Sequence, residues 1–362
     1  HLIILIMKKA LLVLIIAVIF ILGILAYFLI SNKQLSPASL ATCNTLSYNS
    51  QQAKNIVFFS SKEQAQEYST YLLSQQPFSK NKQAFNFYYI DTYTPSCELY
   101  KNIAILCYNK ELVQQASACP NDYIITIDTK PSNIRSSSYM NTLSINSAHS
   151  KTVLLHELGH ALAFLADEYV PSTLPLKSKN CVSDCKSFSV SDGCFEGCSN
   201  NNYYRSIQSS VMRTLSSSEY GSLNNQLILS QLPSASQIIT GKPTQEFSDC
   251  SQEKYYLIEG KLEPNKITIL SQNIEQGCVG SNGVGDFDYK LIMQDGSIST
   301  SEFNPELIFT DNQETGSVEI SERPFYLKIP IIEQAKTLEI SKNQQTLAQI
   351  NLLGLDARPC RK

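Results

Sequence analysis

Residues 152–169 read "TVLLHELGHALAFLADEY", and the way this stretch folds decides what the chain is. It carries His156 and His160, two of only four histidines, with Glu157 between them. On an α-helix the two histidines lie one turn apart on one face, about 6 Å along the axis. Imidazoles so placed can converge on a single Zn2+ at about 2.0–2.1 Å. Glu157 is rotated about 100° from His156 and cannot easily act as a third ligand in the same plane. It is positioned instead to accept a proton from a metal-bound water. The competing reading is an amphipathic surface helix with chance polar residues. Against it stand Val153, Leu154, Leu155, Leu158, Leu162 and Leu165, which make the helix largely apolar. Two unliganded histidines and a glutamate buried there would each need compensation.

This is the H-E-x-x-H arrangement of a metallopeptidase, in which zinc lowers the pKa of its water toward ~7 and Glu157 is the general base. A catalytic zinc takes three protein ligands and leaves a fourth position open. His149 lies about 16 Å along the axis from His160 and cannot share the ion on a straight helix. Asp167 and Glu168 are nearer, yet on a continuing helix Asp167 would sit about 10 Å past His160. The helix is therefore expected to end near Phe164–Leu165 and the chain to bend back. Asp167 is then the third ligand and Glu168 supports it, with the reversed assignment as the alternative.

The stretch "HELGHALAFLADEY" resembles the active-site helix of the IgA-peptidase family of metzincin-like zinc peptidases. "FNFYYID", "ILCYN…ACPNDYIITI" and "CFEGCSNNNYYRSIQSSVMRTL" follow that family's order, so the resemblance spans roughly residues 55–229. It implies a methionine on a tight turn beneath the metal, a place that Met212 in "SSVMR" takes. It also implies an edge strand, here near Tyr139–Asn146, that binds an extended substrate. The wider metzincin pattern has a glycine seven residues after the first histidine and a ligand three further on. Ala163 and Ala166 stand there instead, so the bend is made without glycine. Thr214 replaces the tyrosine that some metzincins use against the oxyanion, which leaves Arg213 and Tyr220 as candidates for that task.

Working outward, "NIVFF", "AFNFYYID", "NIAILCY" and "DYIITID" read as strands alternating with the helices "SSKEQAQEYSTYLLSQ" and "NKELVQQASA". That alternation predicts a mostly parallel sheet. After about Gln245 strand-like runs separated by turn residues predict an all-β, sandwich-like domain. The expected fold is an α/β metzincin-like catalytic domain over 55–240, with a twisted mixed sheet and the active-site helix. A sandwich-like domain over 245–362 follows it.

Ahead of these, Lys8-Lys9 precede 21 uncharged residues, Ala10 to Ile30, against the ~20 that a bilayer core requires. Residues 1–32 thus read as a cytoplasmic stub and a single transmembrane signal-anchor, with 33–54 a polar linker and the rest extracytoplasmic. Cleavage of the anchor would give a secreted form. Eleven cysteines suit that compartment. Cys181, Cys185, Cys194 and Cys198 are expected to form nested disulfides, 181–198 and 185–194, with a structural zinc as the alternative. Cys43 is the expected unpaired thiol. A formal charge of −3 without long basic runs argues against a nucleic-acid partner.

The whole predicts a membrane-anchored zinc metalloendopeptidase with protein or peptide substrates. Its alternatives are an idle ectodomain used for binding or adhesion, and a zinc amidase acting on cell-wall material.

Overall fold

The computed structural model describes residues 39–234, 250–264, 266–311, 317–319 and 323–353. Leu40–Lys362 cluster as one compact unit. The strands of its main sheet are β1 (Asn44–Ser47), β2 (Lys54–Phe59), β3 (Phe85–Ile90), β4 (Tyr123–Asp128), β5 (Ser137–Tyr139), β6 (Thr142–Asn146), β7 (Leu307–Thr310) and β8 (Val318–Glu319). They lie in the order β1-β3-β2-β4-β6-β5-β7-β8. β3, β2, β4 and β6 are parallel, while β1, β5, β7 and β8 pair antiparallel to their neighbours.

The helices are α1 (Lys62–Ser74), α2 (Lys110–Ala116), α3 (Thr152–Ala163) and α4 (Ser222–Leu229). Ser61 caps α1 by accepting from the Gln64 amide at 3.3 Å, and Asn109 caps α2 by accepting from the Leu112 amide at 2.9 Å. The central strands are apolar on both faces because both are covered. Along β2, Ile56 and Phe58 join the core beneath α1 and α3, and Val57 and Phe59 join the core against α2.

Several expectations are corrected. The described chain is mostly sheet, in five sheets, and not an α/β domain followed by a separate sandwich. Two antiparallel sheets from the second half, one of three strands and one of four, do share a core built on Tyr255, Phe287, Phe303 and Leu338. That same core takes in Tyr108, Tyr139 and Ile308, so it is continuous with the first half. β7 and β8 come from the second half yet complete the main sheet, which the strand-like run "PELIFTD" gives no means of foreseeing. The "NIAILCY" run forms only Ala104–Leu106, paired with Glu98–Tyr100 outside the main sheet. β5 and β6 form a hairpin whose outer strand is covered by β7, so the expected open edge is occupied.

The expected anchor at residues 10–30 lies outside the described residues. Among those described, no helix is long and apolar enough to cross a membrane, so no described element supports the expected single-pass anchor. Cys43 is bonded to Cys119 rather than free, next to β1, in what reads as linker. Cys181–Cys198 and Cys185–Cys194 form the nested pair, and Cys97–Cys107 and Cys250–Cys278 complete five bridges among the described residues.

α3 ends where Phe164 turns left-handed, at φ 50° and ψ 38°. Its amide and that of Leu165 turn back onto the His160 and Gly159 carbonyls at 3.0 and 3.2 Å. A left-handed conformation costs a side chain with a Cβ about 1–2 kcal/mol, but Phe164 is buried against Phe309 with ring centroids 5.8 Å apart. Removing a buried phenylalanine side chain costs about 3–5 kcal/mol, so packing outweighs the backbone strain. A Phe164→Gly variant is accordingly expected to be less stable by about 2 kcal/mol in denaturant melts. A more stable variant would show that strain dominates.

Candidate metal centre

The reversal at Phe164 returns the chain onto the face of α3 that carries the histidines. His156 Nε2 and His160 Nε2 stand 3.1 Å apart, and Asp167 Oδ1 lies 3.2 and 3.3 Å from them. Three ligands on tetrahedral arms of about 2.0–2.1 Å have donor atoms roughly 3.3 Å apart. The triangle therefore has the dimensions of a zinc site with one position open.

The orientation of each ring is fixed from behind. His156 Nδ1 donates to the Val211 carbonyl at 2.9 Å and His160 Nδ1 to the Leu165 carbonyl at 2.6 Å. Both Nε2 lone pairs are thereby turned inward, the tautomer a metal requires. Asp167 Oδ2 accepts from Ser172 Oγ at 2.8 Å and from Ser317 Oγ at 3.0 Å, which leaves Oδ1 for the ion. The ring of Phe309 stacks on His160 at 4.2 Å and 15°.

Asp167 Oδ1 and both oxygens of Glu157 are buried without a hydrogen-bond partner among the described residues. Such orphaned acceptors are costly unless a cation, or water held by one, completes them. His156, Glu157, His160 and Asp167 are each at most 1% exposed. The donor set and the orphaned oxygens fit a zinc ion. Without one, the same three groups form a buried ion-pair cluster.

The metal-free electrostatics agree with that picture. Burial opposes charge on His156, but the Asp167 carboxylate outweighs it and raises the imidazole to about 9. Burial lowers His160, whose charge the neighbouring His156 further disfavours. Asp167 is held below the usual carboxylate range because the two histidines overcome its burial. Burial drives Glu157 well above that range, and Asp311 and Asp167 add to the effect.

Glu168, the alternative third ligand, points away from the triangle. Its carboxylate accepts from Asn224 Nδ2 at 2.8 Å, Asn180 Nδ2 at 3.3 Å and Ser210 Oγ at 2.5 Å. Burial raises its pKa, against the pull of those donors. Its amide bonds the Met212 carbonyl at 2.9 Å, so the Asp167 loop is tied to the Met212 turn. Met212 is fully buried, and its sulfur packs over Gly159, where a Cβ would approach to 2.7 Å.

The cysteine loop braces the third ligand. Asn180 pairs with Ala166 through its carbonyl at 2.8 Å and its amide at 2.9 Å, and Ser199 Oγ donates to the Asp167 carbonyl at 2.8 Å. Cys181 and Cys198 pack against Ala166.

Neither Arg213 nor Tyr220 joins the group. Arg213 Nη1 bonds the Glu168 carbonyl at 3.3 Å, and Tyr220 donates to the Leu155 carbonyl. His149 stays off the triangle, as expected, and pairs through Nδ1 with Asp311 at 3.3 Å. Phe309, Asp311 and Ser317 lie outside the motifs of the sequence, whereas Tyr169 closes "HELGHALAFLADEY" but carries no role in that reading.

Glutamine at position 168 would offer one acceptor oxygen where three donors converge, a loss of about 1–3 kcal/mol. Glu168→Gln is expected to melt earlier yet still bind one equivalent of zinc; lost stoichiometry would make Glu168 a ligand. Zinc must also displace the proton that His156 holds up to about 9. Competition with a chelator should therefore show affinity rising about tenfold per pH unit toward that value and flattening above it. A pH-independent affinity would exclude His156 as a ligand. No known protein-family model matches the chain, and a search of curated proteins finds no match.

Proposed function

We propose that the chain is a zinc-dependent peptidase. The observation that carries this reading is the convergence of His156 Nε2, His160 Nε2 and Asp167 Oδ1 to 3.1–3.3 Å, with the Glu157 carboxylate, which has no hydrogen-bond partner among the described residues, one residue along the same helix. The resemblance of "HELGHALAFLADEY" to IgA-peptidase-like metzincins supports it, without specifying a substrate. Five disulfides suit work in an oxidising compartment.

A zinc ion held by the three ligands supplies Lewis acidity, polarising a carbonyl and acidifying water. The chain's own residues do the rest. Glu157 takes the proton of the attacking water as its oxygen bonds to the carbonyl carbon. It then delivers that proton to the departing amine nitrogen as the C–N bond breaks. The Val211 and Leu165 carbonyls keep the imidazoles in one tautomer, and Ser172 and Ser317 keep Asp167 presenting one oxygen. The packed apolar helix excludes bulk water from Glu157, whose burial disfavours its charge until a cation is near.

A competing reading is a structural metal or ion-pair cluster with no catalysis. It draws on the near-absence of exposure at all four side chains. The same assay separates the two. Glu157→Gln is expected to retain one zinc and lose at least a thousandfold in peptide hydrolysis, and a strong chelator should abolish wild-type activity reversibly. Undiminished hydrolysis by Glu157→Gln would overturn the mechanism.

A further inference from the structure

A buried triangle cannot meet a peptide, and the chain's own strand β7 covers its His160 side. Phe309 lies opposite Ser138 and Thr310 opposite Ser137, so β7 adds to β5 as an extended antiparallel strand. Its Phe309 ring covers His160 at 4.2 Å. Its Thr310 carbonyl accepts from the Tyr169 hydroxyl at 2.7 Å, two residues beyond Asp167. Just past it, Asp311 pairs with His149 at 3.3 Å, and Ser317 reaches Asp167 Oδ2 at 3.0 Å. An extended backbone on a sheet edge, a side chain against a metal-binding imidazole and a carbonyl held by a buried phenol are what a bound peptide would present.

Resting on the peptidase reading, we propose that Phe309–Asp311, the far end of β7, is a built-in occupant of the substrate groove, that the closed chain is a latent form, and that an extended peptide displaces this end and places a carbonyl on Tyr169. The cover is suited to leaving. β7 makes only two register pairs with β5, against five between β4 and β6 in the middle of the sheet. Sheet pairing of that length adds little by itself. Asp311 also brings into a buried region a carboxylate with no hydrogen-bond partner among the described residues, satisfied only by its ion pair to His149.

The first test uses the zinc-loaded wild-type chain and needs no activity. Hydrogen exchange at residues 309–310 is expected to be at least tenfold faster than at residues 142–146, because β7 opens without global unfolding. Equal protection of the two strands overturns the proposal. The second test uses Phe309→Ser/Thr310→Pro, which removes the ring and the strand pairing. It is expected to release zinc to a chromogenic chelator at least tenfold faster and to hydrolyse a fluorogenic peptide library at least tenfold faster than wild type. A synthetic peptide of residues 306–311, ELIFTD, should inhibit it competitively. Unchanged metal release with unchanged hydrolysis overturns the cover and leaves the peptidase reading intact. Faster exchange and faster metal release without any hydrolysis supports the cover and removes the peptidase reading. Within the opened variant, Tyr169→Phe is expected to lower kcat about a hundredfold with KM little changed; an unaltered kcat removes Tyr169 from the carbonyl site.

Discussion

Everything at the candidate centre depends on one backbone event, the left-handed turn at Phe164. A helix alone can offer His156 and His160, but two imidazoles at 3.1 Å with inward lone pairs repel rather than hold together. The turn supplies two groups in three residues. The Leu165 carbonyl fixes His160 from behind, and Asp167 brings the carboxylate that faces both Nε2 atoms. Glycine is the usual residue for such a turn because it lacks the Cβ that clashes. Here a buried phenylalanine holds it, and the same ring forms the wall against which Phe309 packs. Backbone geometry and the closure of the site are thus set by one residue.

The carboxylate arrives in a setting that restricts it to one role. Asp167 and Glu168 are chemically similar neighbours, both fully buried, and the fold gives them opposite surroundings. Glu168 meets three donors and is satisfied within the protein. Asp167 receives two hydroxyls on one oxygen, while its other oxygen faces the two histidines. The two imidazoles hold Asp167 well below the usual carboxylate range, and burial pushes Glu157 well above it. A divalent cation bound there would neutralise the Asp167 charge, use both imidazole lone pairs and lower the cost of ionising Glu157 at once.

How much of this was legible follows from the range of each interaction. His156, Glu157 and His160 were readable because helical periodicity fixes them locally, with no knowledge of the rest of the chain. The need for a bend near Phe164–Leu165 was also readable, from the ~10 Å that a straight helix would put between His160 and Asp167. The choice between Asp167 and Glu168 was not, since it turns on Asn180, Ser210 and Asn224, which reach position 168 through tertiary folding. The nested cysteine pairs followed from their spacing, whereas Cys43–Cys119 spans 76 residues and leaves no local trace. The parallel strands of the first half were visible as apolar runs. The joining of the two halves into one sheet was not, because the apolar run of "PELIFTD" reads as a strand whatever it pairs with.

A second half that merely followed the first would leave the β5 edge bare, and an exposed flat strand is a site for unwanted pairing. β7 covers the edge, and its Phe309 and Ser317 neighbours carry the cover onto His160 and Asp167. Tyr108, Tyr139 and Ile308 fix its base in the second core, with the Tyr108 hydroxyl accepting from the Tyr326 amide at 2.9 Å and donating to the Tyr326 carbonyl at 3.1 Å. The base of the strand is therefore anchored by packing, and its tip is held by a stacked ring, a phenol and the Asp311–His149 ion pair. An element fastened at one end by a hydrophobic core and at the other by a few polar and aromatic contacts opens at the second end first, and here the second end lies on the candidate metal ligands.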